Sequence, residues 1–211
     1  MKFYLLFLII PLSISAMASQ KAVTEKGDVV ILGNDGTWVY EDQKTIDTKE
    51  LNTNPTPFQA PDSANFKLKS NINKSTFAIN TEEWKFTKTN PNEDADWEYF
   101  FQFKFGDIYA MAITEEIVAP LDALGDAAFK NAQSAGDDFR VVDKEYRIVN
   151  GKKVLFMETT GTIDGMVVTY IGYYFSDSTG STQLIAFTGS NLTEKYEKDI
   201  YSVLHTFISI F

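Results

Sequence analysis

The sequence predicts an α+β protein in which helices pack against an antiparallel β-sheet, with a small β-hairpin near the N-terminus. Three observations lead to this prediction. Residues 140–188 contain four strand-length runs separated by turn-forming residues. The last stretch of the chain has the apolar spacing of an amphipathic helix, and Pro120 begins another helical pattern. A chain in which several strands follow one another directly, and in which the helices come before or after them, is typical of α+β proteins.

The four-strand run is the part around which the rest of the chain is organised. Its predicted strands cover residues 140–149, 153–162, 166–175 and 182–188. Asn150-Gly151 and Asp164-Gly165 tolerate the positive φ angles that tight hairpin turns need. The third strand is apolar on both faces, with Met166, Val168, Tyr170 and Tyr174 on one face and Val167, Ile171, Tyr173 and Phe175 on the other. Such a strand is expected to be central and covered on both sides.

After these strands, the chain is predicted to end in one long helix. Asn191 is a suitable N-cap, and Glu194 three residues later completes a variant of the capping box. Apolar residues then follow at helical spacing: Ile200, Val203, Leu204 and Phe207. We expect the helix to bury this stripe against the sheet.

The middle of the chain is predicted to add short strands and a helix. The strands cover residues 77–79, 84–87, 97–105 and 107–113, with an acidic loop at 90–96. Strand alternation places a row of aromatic residues on one face of the third of these strands: Trp97, Tyr99, Phe101, Phe103 and Phe105. The helix covers residues 120–135, with Gly136 as a suitable C′ residue.

Residues 1–18 have the features of a cleaved signal peptide. Lys2 provides a charged start, residues 3–10 form an apolar run too short to span a membrane, and Ala16-Met17-Ala18 is a small-x-small cleavage pattern. We expect cleavage after Ala18 and a periplasmic or secreted mature protein. The chain has no cysteine, so we expect neither a lipoprotein anchor after this site nor a disulfide.

The rest of the chain divides into three predicted parts. Residues 19–41 form a β-hairpin, with strands at 27–32 and 37–40, and residues 65–211 form the main α+β domain. Residues 42–64 between them are polar, contain three prolines and lack apolar periodicity, which is typical of a linker.

Composition narrows the possible functions. The formal net charge is −10 and the pI about 4.6, which argues against binding to nucleic acid or to anionic membranes, since both need a basic face. With one histidine, His205, and no cysteine, the usual zinc, haem and iron–sulfur sites are excluded. Glu93, Asp94 and Asp96 offer oxygen ligands for calcium but lack EF-hand spacing, so a solvated acidic loop is the preferred interpretation. We therefore expect no metal and no cofactor.

The sequence contains no recognisable catalytic arrangement. It has no G-x-S-x-G nucleophile motif and no glycine-rich phosphate loop followed by a helix. Glu115 and Glu116 are adjacent, so in a strand they point to opposite faces and are poorly placed to share acid–base work. We expect that the protein is not an enzyme.

Two segments resemble known exported proteins. VVILGNDGTWVYED resembles the V-x-L-x-x-D-G-T-W-x-Y hairpin found near the mature N-terminus of many exported bacterial proteins, which implies compartment more than activity. Residues 65–211, about 70% of the chain, resemble the Mog1/PsbP-like α/β/α sandwich, including DcrB-type domains. The segments that carry this second resemblance are STFAINTEEWKF, the helix at 120–135, YRIVNGKKVLFMETTGTIDGMVVTYIGYYF and LTEKYEKDIYSVLHTF. The family usually has a proline just before the first Trp, where this chain has Glu82-Glu83. Members bind unrelated partners and share no catalytic residues, so the resemblance implies a fold and an exported binding protein.

Aromatic residues are the remaining indication of a binding site. Trp97 and Tyr99, together with Tyr170, Tyr173 and Tyr174, are candidates to line a pocket between sheet and helix, where apolar walls and a few hydroxyls hold a small ligand. The alternative is a large core with tyrosine hydroxyls at its rim. Trp38 and Tyr40 in the N-terminal hairpin are either a packing pair or a docking site for a partner.

Two functions follow from these candidates. The preferred one is a non-catalytic accessory or binding protein of the bacterial cell envelope that acts through protein–protein contacts, which predicts an exposed apolar patch and no closed cavity. The alternative is a carrier of a small apolar molecule, which predicts an aromatic-lined cavity of several hundred Å³ between sheet and helix.

Overall fold

The computed structural model describes residues 20–24, 29–32, 38–40, 51–89 and 97–209. The chain divides into two units, Met1–Lys44 and Thr45–Phe211. The predicted signal peptide and the acidic loop at residues 90–96 lie outside the described residues.

The first unit contains a three-stranded antiparallel sheet in the order β1-β2-β3. Its strands are β1 (Gln20–Val23), β2 (Val29–Leu32) and β3 (Trp38–Tyr40). In the β2–β3 pair, Val30 lies opposite Tyr40 and Leu32 opposite Trp38. Strand β1 was not expected from its short polar sequence, and its pairing with β2 gives this unit more than a two-stranded hairpin, which is marginal in water.

The second unit contains eleven strands and two helices among its described residues. In chain order they are β4 (Thr53–Phe58), β5 (Phe66–Lys69), β6 (Ser75–Ile79), β7 (Trp84–Lys88), β8 (Tyr99–Phe103), β9 (Tyr109–Glu115), α1 (Leu121–Ala135), β10 (Asp137–Val149), β11 (Lys152–Ile163), β12 (Met166–Asp177), β13 (Gly180–Gly189), α2 (Glu197–Leu204) and β14 (Phe207–Ser209). The main sheet has eight strands in the order β4-β10-β11-β12-β13-β9-β8-β7, and a smaller sheet has the order β14-β6-β5. The α+β prediction is therefore confirmed.

The predicted four-strand run forms the antiparallel centre of the main sheet, β10 to β13. Its first two turns have positive φ at both central residues, 47° and 79° at Asn150-Gly151 and 49° and 79° at Asp164-Gly165. These angles fit the type I′ hairpin turn that Asn-Gly and Asp-Gly favour. Local turn chemistry thus sets the register of the central strands.

Strand β12 is covered on both faces, as its sequence predicted. Ile171, Tyr173 and Phe175 are buried in one core, while Tyr174 is buried in a second core on the opposite side of the sheet. Because side chains alternate along a strand, consecutive residues contribute to different cores.

The first core lies between the main sheet and a layer made of α2 and the small sheet. Phe77 in β6 is completely buried, and its ring centroid lies 6.3 Å from that of Phe101 and 6.2 Å from that of Phe207. Phe175 in turn packs against Phe207 at 5.1 Å. These large rings fill the space between the two layers.

The C-terminal helix is shorter than predicted. Helix α2 begins at Glu197 without a side-chain cap, and Asn191 lies in a short 3₁₀ turn, Ser190–Leu192. Ile200, Val203 and Leu204 are buried as expected. Phe207 is also buried, but it belongs to β14 and pairs with Phe77, so the predicted helical position is wrong. The pairing of β14 with β6 outweighs the helical spacing of the sequence.

Helix α1 covers the opposite face of the main sheet and contributes Leu124 and Phe129 to the second core. Its C-terminal glycine serves a different purpose from the predicted one. Gly136 has φ −165° and ψ 179°, which is extended and not left-handed. A Cβ at this position would overlap the backbone carbonyl oxygen of Thr162, so glycine is needed here for close approach of the two backbones.

Two further boundaries differ from the sequence prediction. Residues 53–58, inside the predicted linker, form β4, which pairs in parallel with β10 at the edge of the main sheet. Pro55 and Pro57 fit this place because prolines in sheets are confined mainly to edge strands. Strand β8 is shorter than predicted, and Phe105 lies beyond its end and is 70% exposed.

Asn150 connects three distant segments of the second unit. Its side-chain amide donates to the carbonyl oxygens of His205 (2.9 Å) and Phe207 (2.6 Å). Its side-chain oxygen accepts from the backbone N–H of Ala60 at 2.8 Å. One turn residue therefore links β10, the segment after β4 and the C-terminal strand.

We predict that Asn150→Gly lowers the free energy of unfolding by about 2 kcal/mol, because three partly buried hydrogen bonds are lost at about 0.5–1.5 kcal/mol each while the positive φ remains allowed. Asp164→Gly is the matched control, since Asp164 has the same backbone conformation in the next turn, is exposed, and has no side-chain hydrogen bond to a described residue. Urea unfolding of both variants measures the difference, and equal losses would contradict the role assigned to the Asn150 side chain.

Candidate functional site

A cavity of about 860 Å³ lies beside α1 on the second face of the main sheet. The loop between β5 and β6 and the residues flanking β8 also contribute to its lining. The lining residues are Asn71, Ile72, Lys88, Thr89, Trp97, Glu98, Met111, Ile113, Thr114, Glu115, Ala128, Phe129, Asn131, Ala132, Ala135, Phe139, Met157, Thr159, Tyr170, Tyr174, Gln183 and Ile185. Its volume is within the range typical of sites for small ligands.

The floor of the cavity is a grid set by strand register. Tyr174 of β12 lies opposite Gln183 of β13, and Tyr170 lies opposite Thr159 of β11. Between these two pairs, Gly172 of β12 lies opposite Met157 of β11 on one side and opposite Ile185 of β13 on the other. The absence of a side chain at Gly172 leaves space above the sheet, which the Tyr174 ring occupies.

The Tyr174 side chain lies over this glycine. A Cβ at Gly172 would lie 2.9 Å from the Tyr174 hydroxyl oxygen and 3.0 Å from two of its ring carbons, which is too close for an unshifted ring. Gly172 therefore allows the tyrosine to lie along the sheet, and a larger residue would push the ring towards the cavity.

Three of the five α1 residues that line the cavity are alanines. Ala128, Ala132 and Ala135 of α1 line the cavity, while Phe129 beside them is buried in the second core. Alanine at these positions keeps the helix stable and leaves the space unfilled. At the Tyr170 end of the floor the lining is aromatic, because the Phe139 ring packs beside the Tyr170 ring at a centroid distance of 5.9 Å.

One end of the cavity carries charged residues that are already paired. Glu98 accepts hydrogen bonds from the Thr114 hydroxyl at 2.6 Å and the Asn71 backbone N–H at 2.7 Å. Its carboxylate also lies 3.4 Å from the Lys88 Nζ. Glu98 therefore has its negative charge compensated within the protein.

Three polar side chains of the floor have no such partners. Thr159 and Tyr174 are each 4% exposed and Gln183 is 8% exposed. None of the three makes a side-chain hydrogen bond to a described residue. Burial raises the pKa of both Tyr170 and Tyr174 above the ordinary value, so their hydroxyls stay protonated near neutral pH.

The structure separates the aromatic residues that the sequence grouped together. Trp97, Tyr170 and Tyr174 line the cavity. Tyr99 and Tyr173 are buried in the first core on the opposite face of the sheet. The expected shared face of Trp97 and Tyr99 is wrong because Trp97 precedes β8, where strand alternation does not apply, and its ring packs against Phe100 at 5.6 Å.

Other residues of the site were missed or fall outside the described part of the structure. Gln183 and Thr159 line the cavity but are not among the site residues predicted from the sequence. A polar residue on an otherwise apolar strand face is the feature that could have indicated them. For Trp38 and Tyr40, the backbone is described and the side chains are not.

The single histidine, His205, belongs to a different cluster, which packs against the first core. Its Nε2 lies 3.1 Å from the Tyr173 hydroxyl, and its ring packs against those of Phe58, Tyr173 and Tyr201. The Arg147 guanidinium lies 3.4 Å from the Phe156 ring centroid, and its Nε donates to Glu145 at 2.6 Å. This cluster holds β4, β10 and α2 together.

Comparison with known proteins places this geometry in a fold group. No family model matches the chain, and no curated protein matches its sequence. Among solved structures, the cyanobacterial PsbP from Synechocystis sp. PCC 6803 matches with a TM-score of 0.54 and 11% identity, covering 71% of this chain and 95% of that chain. The fold is PsbP-like. At this identity the similarity concerns the fold alone.

Two further solved structures are similar at lower TM-scores. One is the protein PA94 of unknown function from Pseudomonas aeruginosa, a putative regulator, with a TM-score of 0.44, 8% identity, and coverage of 70% of this chain and 99% of that chain. The other is LpqN, involved in cell envelope biogenesis of Mycobacterium tuberculosis, with a TM-score of 0.46, 10% identity, and coverage of 67% and 88%. Among the described residues, neither helix is long and apolar enough to cross a bilayer.

We predict that His205 titrates far below its ordinary value of 6.5. Burial, and secondarily the Arg147 charge, lower its pKa to about 4. The unfolded chain therefore takes up a proton below pH 6.5 that the folded chain does not, so the contribution of this group to stability is present above pH 6.5 and is lost as the pH falls through about 4. Because the chain has one histidine, proton NMR of the imidazole gives its pKa directly. A midpoint near 6.5 in the folded protein would contradict the burial of this ring.

Proposed function

We propose that this protein is an exported, non-catalytic binding protein of the bacterial cell envelope that holds a small molecule in the cavity between α1 and the main sheet. The observation that supports this is the cavity itself, with its volume of about 860 Å³ and its lining by Trp97, Tyr170 and Tyr174. The cavity is partly open to solvent, and concave, partly apolar clefts of this volume are typical of sites that bind small molecules.

The composition of the walls supports binding in preference to catalysis. Aromatic and aliphatic residues make up more than half of the lining and polar residues the rest, a mixture that suits a small molecule with both apolar and polar parts. The carboxylate of Glu98 is engaged by Lys88, Thr114 and Asn71, which disfavours a role as a general base. The proposal therefore includes no reaction and no cofactor.

The envelope location is supported by the N-terminal sequence. Residues 1–18 have the charged start, apolar run and small-residue cleavage pattern of a signal peptide. Expressed with its own N-terminus in a bacterium, the chain is expected in the periplasm or medium with an intact mass that begins at Ser19. Recovery of the chain in the cytoplasm with Met1 retained would contradict export.

A second proposal is that the protein contacts another envelope protein. Beside the turn between β11 and β12, the first two residues of β12 are exposed, Met166 at 65% and Val167 at 50%, and Val142 of β10 is 48% exposed. Adjacent exposed apolar side chains can form part of the contiguous patches that mark contact surfaces. Replacement of Met166 and Val167 by serine should then abolish capture of a partner in an envelope pull-down while leaving the cavity intact, and unchanged capture would remove this turn from the contact surface.

We predict that Ala132→Phe abolishes ligand retention, because the added ring occupies the cavity from the helix side. Ala127→Phe is the matched control, since Ala127 is an exposed residue of the same helix. Gly172→Ala fills the cavity from the sheet side, by displacing the Tyr174 ring, without changing α1.

Retention is measured by native mass spectrometry of the purified protein and by fluorescence of N-phenylnaphthylamine, an uncharged dye that brightens in apolar sites. The expected result is binding to the native chain and to the Ala127→Phe variant, and at least about tenfold weaker binding to both cavity-filling variants, an effect of about 1.4 kcal/mol. Equal binding by all four proteins would place the dye elsewhere and overturn the proposal.

A further inference from the structure

We infer that the ligand of this cavity is an uncharged, mainly apolar molecule with a hydrogen-bonding group that meets the floor at Thr159, Tyr174 and Gln183. This inference rests on the proposed function and specifies the chemistry of the occupant. It is carried by three features: the charge of the rim, the neutral polar groups of the floor, and the lack of a hydrogen-bond partner for those groups among the described residues.

The rim disfavours an anion. Among the described residues that line the cavity, Lys88 is the one cation, and its ammonium group is paired with Glu98 and lies 5.0 Å from the centroid of the Tyr99 ring. Glu115 adds a second carboxylate to the lining. An anionic ligand would therefore meet two carboxylates and no unpaired cation.

The floor disfavours any charged group that enters deeply. Thr159, Tyr174 and Gln183 present two hydroxyls and an amide, all neutral, and the neighbouring residues Met157, Ile185 and Met111 are apolar. A charge buried here would lose its hydration without gaining a counter-charge, which is strongly unfavourable. The occupant is therefore uncharged where it contacts the sheet.

The floor equally disfavours a pure hydrocarbon. Thr159, Tyr174 and Gln183 are each more than nine-tenths buried as whole residues, and their hydroxyls and amide have no hydrogen-bond partner among the described residues. A hydrocarbon that displaced water from them would leave all three groups unpaired, whereas a ligand hydroxyl, carbonyl or amide would pair with them. Gln183 lies directly opposite Tyr174 in the strand register, so the two side chains can form hydrogen bonds with the same end of the ligand.

Fold stability does not require these hydroxyls. A contrasting residue is Thr188, which is also 4% exposed and in a strand, and whose hydroxyl donates to the Asp107 carbonyl oxygen at 2.6 Å. Replacement of Thr188 by valine removes a bond of the fold, while replacement of Thr159 by valine removes none. The pair Thr159→Val and Thr188→Val thus separates a structural role from a binding role.

The first test concerns charge. N-phenylnaphthylamine and anilinonaphthalene sulfonate share one skeleton and differ by a sulfonate, and their affinities for the native full-length mature protein are compared by fluorescence titration. We expect the sulfonate to bind at least about tenfold more weakly. Equal or tighter binding of the sulfonate would overturn the inference, while loss of both probes from the Ala132→Phe variant would leave the proposed function standing.

The second test concerns the hydrogen-bonding group. Naphthol and naphthalene compete with N-phenylnaphthylamine for the native protein and for the Thr159→Val/Tyr174→Phe double variant. The naphthol-to-naphthalene affinity ratio should fall about fivefold in the double variant, the size expected for one hydrogen bond.

Urea unfolding separates this effect from a structural one. The double variant should keep its unfolding midpoint, while Thr188→Val should lower it. An unchanged naphthol-to-naphthalene ratio, or a double variant as destabilised as Thr188→Val, would overturn the inference. Failure of every probe to bind the native protein would instead overturn the proposed function.

Discussion

The structure depends on one strand that is buried on both sides. Because side chains alternate, Tyr173 and Tyr174 of β12 enter different cores, one with Arg147 and His205 and the other with the cavity. A register slip of one residue would turn every side chain of the strand to the opposite face, so that Tyr173 and Tyr174 would exchange cores. The turns at Asn150-Gly151 and Asp164-Gly165 prevent such a slip, since each fixes the pairing of two central strands. Fold and site therefore share one geometric determinant.

The two faces of the sheet are packed in contrasting ways. The first face is filled by large rings such as Phe77, Phe156 and Phe207, which are almost completely buried. The second face meets a helix whose inner positions include Ala128 and Ala132, and a sheet row interrupted by glycine. Large residues at these positions would close the space and add favourable contacts, since filled cores are more stable than cavities. The small residues of α1 therefore favour an open site over maximal stability.

Features governed by local chemistry were predictable from the sequence, and features governed by distant pairing were not. The hairpin turns and the two-sided burial of β12 follow from neighbouring residues, and both were predicted correctly. Phe207 has helical spacing after Leu204, yet its pairing with Phe77, far away in the sequence, makes it part of a strand. Strand β4 has little strand character of its own and exists through its parallel pairing with β10. In the site, Tyr170 and Tyr174 were predictable from strand alternation, whereas Gln183 is recognisable only once register places it opposite Tyr174.

The energetics of the buried polar groups indicate why the floor selects its occupant. Each buried hydroxyl or amide left without a partner costs about 1–3 kcal/mol, and the stability of a whole domain is about 5–15 kcal/mol. On the opposite face the chain meets this requirement itself, since the Tyr99 hydroxyl donates to the Lys69 carbonyl oxygen at 2.6 Å. At Thr159, Tyr174 and Gln183 the described chain supplies no partner, so water or a ligand must do so. A ligand that forms hydrogen bonds with these groups gains affinity. A ligand that only fills the cavity leaves them without partners and loses that free energy. The floor therefore selects ligands by hydrogen bonding, and the walls select them by shape.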